Sequence, residues 1–204
     1  MVSNLSSVDV REQLRRATMQ VFSEAGWRGA TTRRIAREAG VSEVTLFRHF
    51  GSKESLIHEA MRCGKQGLAN TVLPDEPVDP VAEIIAWSQA HYECIVQARS
   101  FIRRTIGEHE EHPEVGRIAT RESVEAARKL ASYFGKLQAS GRASVDVDPW
   151  VAVNVLVGAI FLDAISRDVM PERFPYPQDE APHRYAAMVL QVLGMSAPDL
   201  ASLR

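Results

Sequence analysis

The sequence predicts an all-α protein with a small N-terminal three-helix unit followed by a larger helical domain. Apolar residues recur at helical spacing along nearly all of the 204 residues, and no segment has the alternating pattern of a half-buried strand or an Asn-Gly hairpin turn. The helical patterns are short before residue 60 and longer after residue 79. We therefore expect two domains, at residues 1–56 and 57–204.

Capping and turn-forming residues separate four predicted helices in the N-terminal segment. A Ser or Thr before a helix can accept a hydrogen bond from a free N–H group of the first turn, and a Gly after a helix adopts the conformation that ends it. The four helices are predicted at residues 8–25, 31–39, 42–50 and from 52 onward, with Gly26 and Gly40 after the first two and with Thr31, Ser42 and Ser52 as N-caps.

Prolines divide the remainder of the chain. Three prolines occur within residues 74–80, which rules out a regular helix there. Asp148 followed by Pro149 is a typical helix start, since Asp caps the helix and Pro suits its first position. The longer helices are predicted at residues 79–98, 101–108, 114–139, 149–169 and 183–193.

The second and third predicted helices, joined by a tight turn at Gly40, are typical of a helix-turn-helix motif. This motif reads double-stranded DNA with a short second helix whose N-terminal residues point at base edges in the major groove. Apolar residues at suitable spacing provide its buried side: Ile35, Ala36, Ala39, Val41, Leu46 and Phe50.

The charge distribution is compatible with this assignment without establishing it. The net charge is −2, but residues 1–60 carry nine basic and seven acidic side chains. The alternative for Arg33, Arg34 and Arg37 is that they form the solvated face of an ordinary helix. A protein that compacts DNA non-specifically would be basic throughout, which this chain is not.

The segment TTRRIAREAGVSEVTLFRHFGSKESL, residues 31–56, closely resembles the DNA-binding region of the tetracycline-repressor (TetR) family of transcription regulators. Phe22 and Gly26 match the first helix of that region, so the resemblance covers about residues 10–60. It implies a homodimer whose N-terminal domains bind a palindromic operator. It also implies C-terminal domains that bind a small-molecule inducer, which releases the repressor from DNA.

The resemblance also indicates which residues contact DNA. Thr32 would hold a backbone phosphate, and Arg33 would reach a guanine edge. Phe47 stands where the family most often has Tyr, so a hydroxyl contact is lost although the ring can pack on the sugar backbone. Glu43, Val44 and Thr45 would face the bases. The other predicted DNA contacts are Thr31, Thr32, Arg33, Ser42, Phe47, Arg48, His49 and Lys53.

Glu43 has two interpretations that the sequence leaves open. Phosphates would repel its carboxylate, so a Glu43 that faces the groove should accept a hydrogen bond from a cytosine amino group. Otherwise the carboxylate complements the positive N-terminus of the third helix.

The predicted helix at residues 149–169 is too apolar for a helix with one buried side. It is either a central core helix or a helix that packs inside its own subunit on one side and meets a second subunit on the other. Together with the last helix, 183–193, it would complete a four-helix bundle across a two-fold axis, as the resemblance implies. We expect a homodimer formed through these two helices.

An effector pocket would be built from the middle helices and would favour a largely apolar compound. The alternative for each candidate is that it belongs to the ordinary core. The candidates are Trp87, His91, Cys94, Phe101, Tyr133 and Phe134.

Other functions find little support in the sequence. His109 and His112 are three residues apart, no third ligand is nearby and Pro113 follows, so we expect no metal site. No phosphate-binding loop or nucleophile motif is present, which leaves an all-helical enzyme as a distant alternative and predicts no cofactor. The start of the chain lacks a secretory signal pattern, and the apolar run at 151–162 is shorter than a membrane span, so we expect a cytoplasmic protein.

Overall fold

The computed structural model describes residues 7–61 and 73–195, and the regular structure within these ranges is helical throughout. A single 3₁₀ turn is present at Pro171–Arg173. The α-helices are α1 (Ser7–Gly29), α2 (Thr32–Glu38), α3 (Glu43–Phe50), α4 (Lys53–Met61), α5 (Pro80–Gln97), α6 (Arg99–Gly107), α7 (Pro113–Ala139), α8 (Pro149–Ser166) and α9 (Ala181–Val192).

The predicted caps are confirmed where the side chains satisfy the free N–H groups of a first turn. The Thr31 hydroxyl accepts the N–H of Arg34 at 3.2 Å, and the Ser42 hydroxyl accepts the N–H of Thr45 at 3.1 Å. The Asp148 carboxylate accepts two N–H groups of α8, at 2.8 and 3.0 Å. These local hydrogen bonds fix where α2, α3 and α8 begin.

The first helical run of α1 ends at Gly26, as predicted. Gly26 has a φ of +66° and a ψ of −169°, which is not helical, and a second short run follows this kink and continues to Gly29. The Ala30 N–H donates to the Gly26 carbonyl at 2.9 Å, so the short second run closes beyond the kink. The sequence did not predict this second run.

The chain divides into two compact units, Met1–Cys63 with Ala98–Glu122 and Gly64–Gln97 with Ser123–Arg204. In the first unit α1 packs against α2, α4 and α6, and α3 packs against α2 and α4. Phe22 stacks on Phe101 with ring centroids 4.3 Å apart, and Ile57 is fully buried. This unit is therefore larger than the predicted domain 1–56, because α6 and α4 contribute to the same core.

In the second unit α5, α8 and α9 pack against one another. Their core contains fully buried side chains such as Ile84, Leu156 and Leu190. Within the described parts of the chain, α8 is the one helix that is long and apolar enough to cross a membrane, by length and composition alone. Its buried side, which includes Val153 and Ile160, belongs to the core of this unit.

Candidate nucleic-acid interface

The third helix has one buried face and one strongly exposed apolar face. Leu46 and Phe50 are buried in the core of the first unit. On the other side, Val44 is 77% exposed and Phe47 is 46% exposed. The apolar surface that Val44 and Phe47 leave exposed on this eight-residue helix is accessible to a partner surface.

The two helices of the motif are joined as the sequence predicts. Gly40 has a φ of +67°, a conformation that glycine adopts without strain, and the Val41 N–H donates to the Ala36 carbonyl at 3.0 Å. Ala36 is buried, which allows α2 and α3 to approach closely. The first turn of α3 is thereby presented at the surface with its Ser42 cap exposed.

Thr32 and Glu43 contact each other directly. The Thr32 hydroxyl donates to the Glu43 carboxylate, so the first residue of α2 is linked to the first residue of α3. Thr32 was predicted to hold a phosphate, and its hydroxyl is engaged by an acidic side chain in this structure. A carboxylate at this point would repel a phosphate oxygen.

The basic residues of the motif are divided between exposed and paired side chains. Arg33, Arg37 and Arg48 are exposed. Arg34 instead forms an ion pair with Glu24 of α1 at 2.9 Å. Arg33 and Arg48 therefore remain suitable DNA contacts, while Arg34 also serves to join α2 to α1.

Lys53 and His49, which were predicted to contact phosphates, also form contacts within the protein. The Lys53 ammonium donates to the carbonyl oxygen of Trp27 and lies 4.0 Å from the centroid of the indole ring. Burial lowers the pKa of the Lys53 ammonium. The His49 side chain is partly exposed, and its carbonyl oxygen accepts a 3.4 Å hydrogen bond from Arg11.

Trp27 and Glu108 are residues of this region that sequence reasoning missed. The backbone N–H of Trp27 donates to the Glu108 carboxylate at 2.8 Å, and Arg104 pairs with the same carboxylate at 2.9 Å. Trp27 and Glu108 are 81 positions apart in the sequence. No local spacing signals a contact of that kind.

Several effector candidates lie in the core of the second unit. Trp87 is 5% exposed and stacks on His91 with ring centroids 4.6 Å apart. Burial lowers the pKa of His91 to about 4, so its imidazole is neutral at pH 7. The Tyr133 hydroxyl donates to Glu83, and Phe134 is fully buried. Trp87 and His91 thus form one stacked pair, and the Tyr133 hydroxyl is tied to Glu83 of the same helix α5.

The two remaining effector candidates, Phe101 and Cys94, have different surroundings. The prediction placed Phe101 with the effector candidates, but it lies in the core of the first unit against Phe22. Cys94 is on α5 and partly exposed. Helical spacing alone did not indicate to which core Phe101 belongs, because that depends on the packing of α6 against α1.

A buried polar network joins α5, α8 and α9 in the second unit, and it was not predicted. Asp163 is 0% exposed and accepts hydrogen bonds from Arg167 at 2.7 and 2.6 Å. It also accepts from the hydroxyls of Tyr92, at 2.8 Å, and Tyr185. Arg167 in turn donates to the Tyr176 carbonyl at 2.6 Å, which fixes the loop before α9.

No group of three metal-ligating side chains occurs among the residues that the structure describes. His109 lies beside Gly116, and the ring of His112 is 6.4 Å from that of Trp27. Both histidines therefore lie beside other residues of the first unit.

The buried and exposed faces of α2 and α3, with the glycine turn between them, define a helix-turn-helix domain. Residues 14–60 match the family model described as "Bacterial regulatory proteins, tetR family". The family model thus matches the helix-turn-helix region, 47 of the 204 residues, and this region is similar to the tetR family of bacterial regulatory proteins.

Individual curated relatives match mainly the same N-terminal region and are named as HTH-type transcriptional regulators. The chain is 46% identical over 52 residues to the HTH-type transcriptional regulator BetI of Stenotrophomonas maltophilia, a match that covers 26% of each chain. The matches to the first three curated relatives span between 25% and 47% of those proteins' length.

Solved structures share the fold over nearly the whole chain. Salmonella enterica GusR superposes with a TM-score of 0.69 at 22% identity, covering 94% of this chain and 98% of that one. FadR from Bacillus subtilis, solved in complex with stearoyl-CoA, superposes with a TM-score of 0.67 at 16% identity, covering 89% and 98%. At such identities the likeness concerns the fold.

Proposed function

We propose that this chain is a ligand-responsive transcription repressor that binds a palindromic operator as a homodimer in the cytoplasm. The observation that carries the proposal is the exposed face of α3, where Val44 and Phe47 stand out beside the exposed Arg48. An apolar side chain can contact a thymine methyl group in the major groove, while an arginine binds a guanine edge or a phosphate. The curated relatives, named as transcriptional regulators, support a regulatory rather than a catalytic role.

The remaining predicted contacts fit around this face. Arg33 at the N-terminus of α2 would reach a guanine, and Thr45 in the first turn of α3 would face the bases. Ser42 and Thr31 present hydroxyls at the N-termini of α3 and α2, where a phosphate is favoured. Phe47 would pack on the sugar backbone, and His49 and Lys53 would lie along the phosphates.

A dimer is supported by an exposed apolar strip on the two helices predicted to form it. Val151 and Val155 are one turn apart on α8 and are 58% and 55% exposed. Met188 and Val192 are one turn apart on α9 and are 61% and 57% exposed. Because α8 and α9 pack against each other, the second copy of the chain is the occupant that we assign to this surface.

Dimerisation also follows from the requirements of DNA binding. A single helix-turn-helix unit contacts few phosphates and reads only one half-site. Two units joined by a two-fold axis bind two half-sites about 34 Å apart. An inducer that changes the separation of the two recognition helices would prevent simultaneous contact and release the repressor.

The inducer that we propose is a largely apolar compound. Trp87, His91 and Tyr133 are aromatic, and His91 is neutral at pH 7. FadR, which has the same fold, was solved with stearoyl-CoA. A ligand of this kind would have to displace buried side chains such as Trp87, which is how it would alter the conformation of the unit.

The function is tested by protection mapping on DNA that flanks the gene of this protein. We expect a footprint with two-fold symmetry, which a Thr45→Ala variant loses while it remains folded and dimeric. Sedimentation of the free protein should give twice the chain mass. A protein that protects no segment, or that protects one without symmetry, would contradict the proposal. A thermal-shift screen of apolar compounds then identifies inducers by their ability to abolish the footprint.

A further inference from the structure

Lys53 is held by groups that orient its charge without neutralising it. Its ammonium donates to the Trp27 carbonyl oxygen and lies 4.0 Å from the centroid of the Trp27 ring. Both partners are uncharged, so the lysine keeps its positive charge while its position is fixed. An ammonium has three N–H donors, and the carbonyl uses one of them.

Trp27 is itself positioned by a residue from another part of the chain. The kink at Gly26 interrupts the helical hydrogen-bond pattern, and the Trp27 N–H donates instead to Glu108 at 2.8 Å. The Glu108 carboxylate can lie beside Gly26 because glycine has no side chain. A Cβ at Gly26 would lie 1.8 Å from Glu108 Oε1. Arg104 holds the same carboxylate oxygen at 2.9 Å.

We propose that Glu108 and Trp27 are positioning residues that hold the Lys53 ammonium in place for a DNA phosphate. The inference rests on the proposed DNA-binding function. A lysine side chain is flexible and loses conformational freedom when it binds a phosphate. A lysine that is already ordered loses less, so Glu108 strengthens DNA binding although its own charge repels DNA.

The direction in which DNA affinity changes when Glu108 is removed distinguishes a positioning role from simpler effects. By charge alone, removing a glutamate near DNA should strengthen binding. If Trp27 instead withheld Lys53 from DNA, removing Glu108 should also strengthen binding. Removing Glu108 also withdraws a negative charge that favours the charged form of Lys53, but Glu108→Gln withdraws the same charge. A positioning role predicts weaker binding for Glu108→Ala and not for Glu108→Gln, and only while Lys53 is present.

The test uses the full-length protein and a fluorescein-labelled duplex of mixed sequence, with affinity measured by anisotropy between about 50 and 200 mM salt. The variants are Lys53→Ala, Glu108→Ala, Glu108→Gln and the double variant Lys53→Ala/Glu108→Ala. Glu110→Ala is the matched control, because Glu110 is exposed and its loss changes the net charge equally. Circular dichroism melts verify that each variant is folded.

Losing one phosphate contact removes a factor of roughly 3.5 from the salt-dependent loss of affinity over this range, so a dimer that loses one contact in each protomer loses a factor of about 12. We expect that change for Lys53→Ala, and a loss of affinity of at least about threefold for Glu108→Ala at the low-salt end. Glu108→Gln keeps an acceptor for the Trp27 N–H, and its NH₂ group then faces Arg104, whose exposed side chain can turn toward solvent. This variant should therefore bind like the unmodified protein. The double variant should bind no more weakly than Lys53→Ala.

Equal or tighter binding by Glu108→Ala, or losses that add in the double variant, would overturn the inference. If Glu108→Ala does not fold, Trp27→Leu replaces it, because it removes the ring and keeps an apolar side chain, and the same dependence on Lys53 is expected. If the unmodified protein binds no duplex at low salt, the proposed function itself fails. The two failures are therefore distinguishable.

Discussion

Replacing Asp163 by Asn should strongly destabilise the protein, because the side chain is fully buried and its charge is compensated by a single partner of the second unit. Arg167 approaches both carboxylate oxygens, at 2.7 and 2.6 Å. An amide of the same shape can accept from one guanidinium N–H, but its NH₂ group must face the other one in either orientation. The guanidinium is then left with an uncompensated charge and one unfavourable contact.

Breaking a buried ion pair by removing one partner costs about 3–5 kcal/mol. The Tyr92 and Tyr185 hydroxyls also lose a charged acceptor, although each can turn toward the remaining oxygen. We therefore expect Asp163→Asn to lower the free energy of unfolding by about 3–5 kcal/mol at pH 7. Urea unfolding followed by circular dichroism, at one fixed protomer concentration, measures the difference.

The pH dependence gives a second measurement of the same interaction. Burial alone would raise the pKa of Asp163, but hydrogen bonds from Arg167, Tyr185 and Tyr92 outweigh it and hold the pKa below the ordinary value of 3.8. Because the folded-state pKa is lowered, the stabilisation is fully present above about pH 4 and is lost as the pH falls through the folded value. The difference between Asp163→Asn and the unmodified protein should therefore shrink in strong acid.

Asp146→Asn is the matched control, since Asp146 is exposed and the chemical change is the same. Surface substitutions of this kind change stability by no more than about 0.5 kcal/mol. An effect of Asp163→Asn as small as that of the control, or one that stays constant into strong acid, would refute the assignment of this network.

Four further outcomes are expected. Uracil in place of a contacted thymine should weaken operator binding by about 0.8 kcal/mol per methyl group, and Val44→Ala should remove this sensitivity in the same anisotropy titration. Gly26→Ala should lower the melting temperature, because Gly26 has a φ of +66° and a Cβ would collide with the Glu108 carboxylate; an unchanged melt would contradict the kink. Glu43→Gln should bind mixed-sequence DNA more tightly, and equal affinity would show that the Glu43 charge does not act on DNA. Val155→Lys should shift sedimentation from dimer to monomer, whereas Val145→Lys, at another exposed valine, should not.

The parts of the fold that the sequence predicted depend on local chemistry. Thr31, Ser42 and Asp148 cap helices because a hydroxyl or carboxylate reaches an N–H group two or three residues away. Such a short spacing can be recognised in the sequence. The glycine turn at Gly40 can be recognised for the same reason. The short helical run after Gly26 was not predicted, and the Trp27 N–H within it donates to Glu108, which lies far away in the sequence.

The unpredicted parts are contacts between distant segments. Tyr92 and Asp163 are 71 positions apart, and each has an ordinary interpretation on its own helix. Phe101 has the spacing of a core residue, and only the packing of α6 on α1 decides that this core is the one around Phe22. A periodic pattern identifies which face of a helix is buried, but it carries no information about which helix covers that face.

Glu43 shows how a structure can favour one of two chemically sound alternatives. As a base contact, its carboxylate would have to leave the Thr32 hydroxyl and face a surface lined with phosphates, and a base amino group such as that of cytosine would have to compensate it. In its present position it accepts a hydrogen bond and lies at the positive N-terminus of α3, where a negative charge is stabilised. The local role therefore requires no rearrangement. Because every sequence presents the same phosphates, a charge held at the edge of the reading surface weakens binding to operator and unrelated DNA alike, so Glu43 would lower affinity without altering base preference.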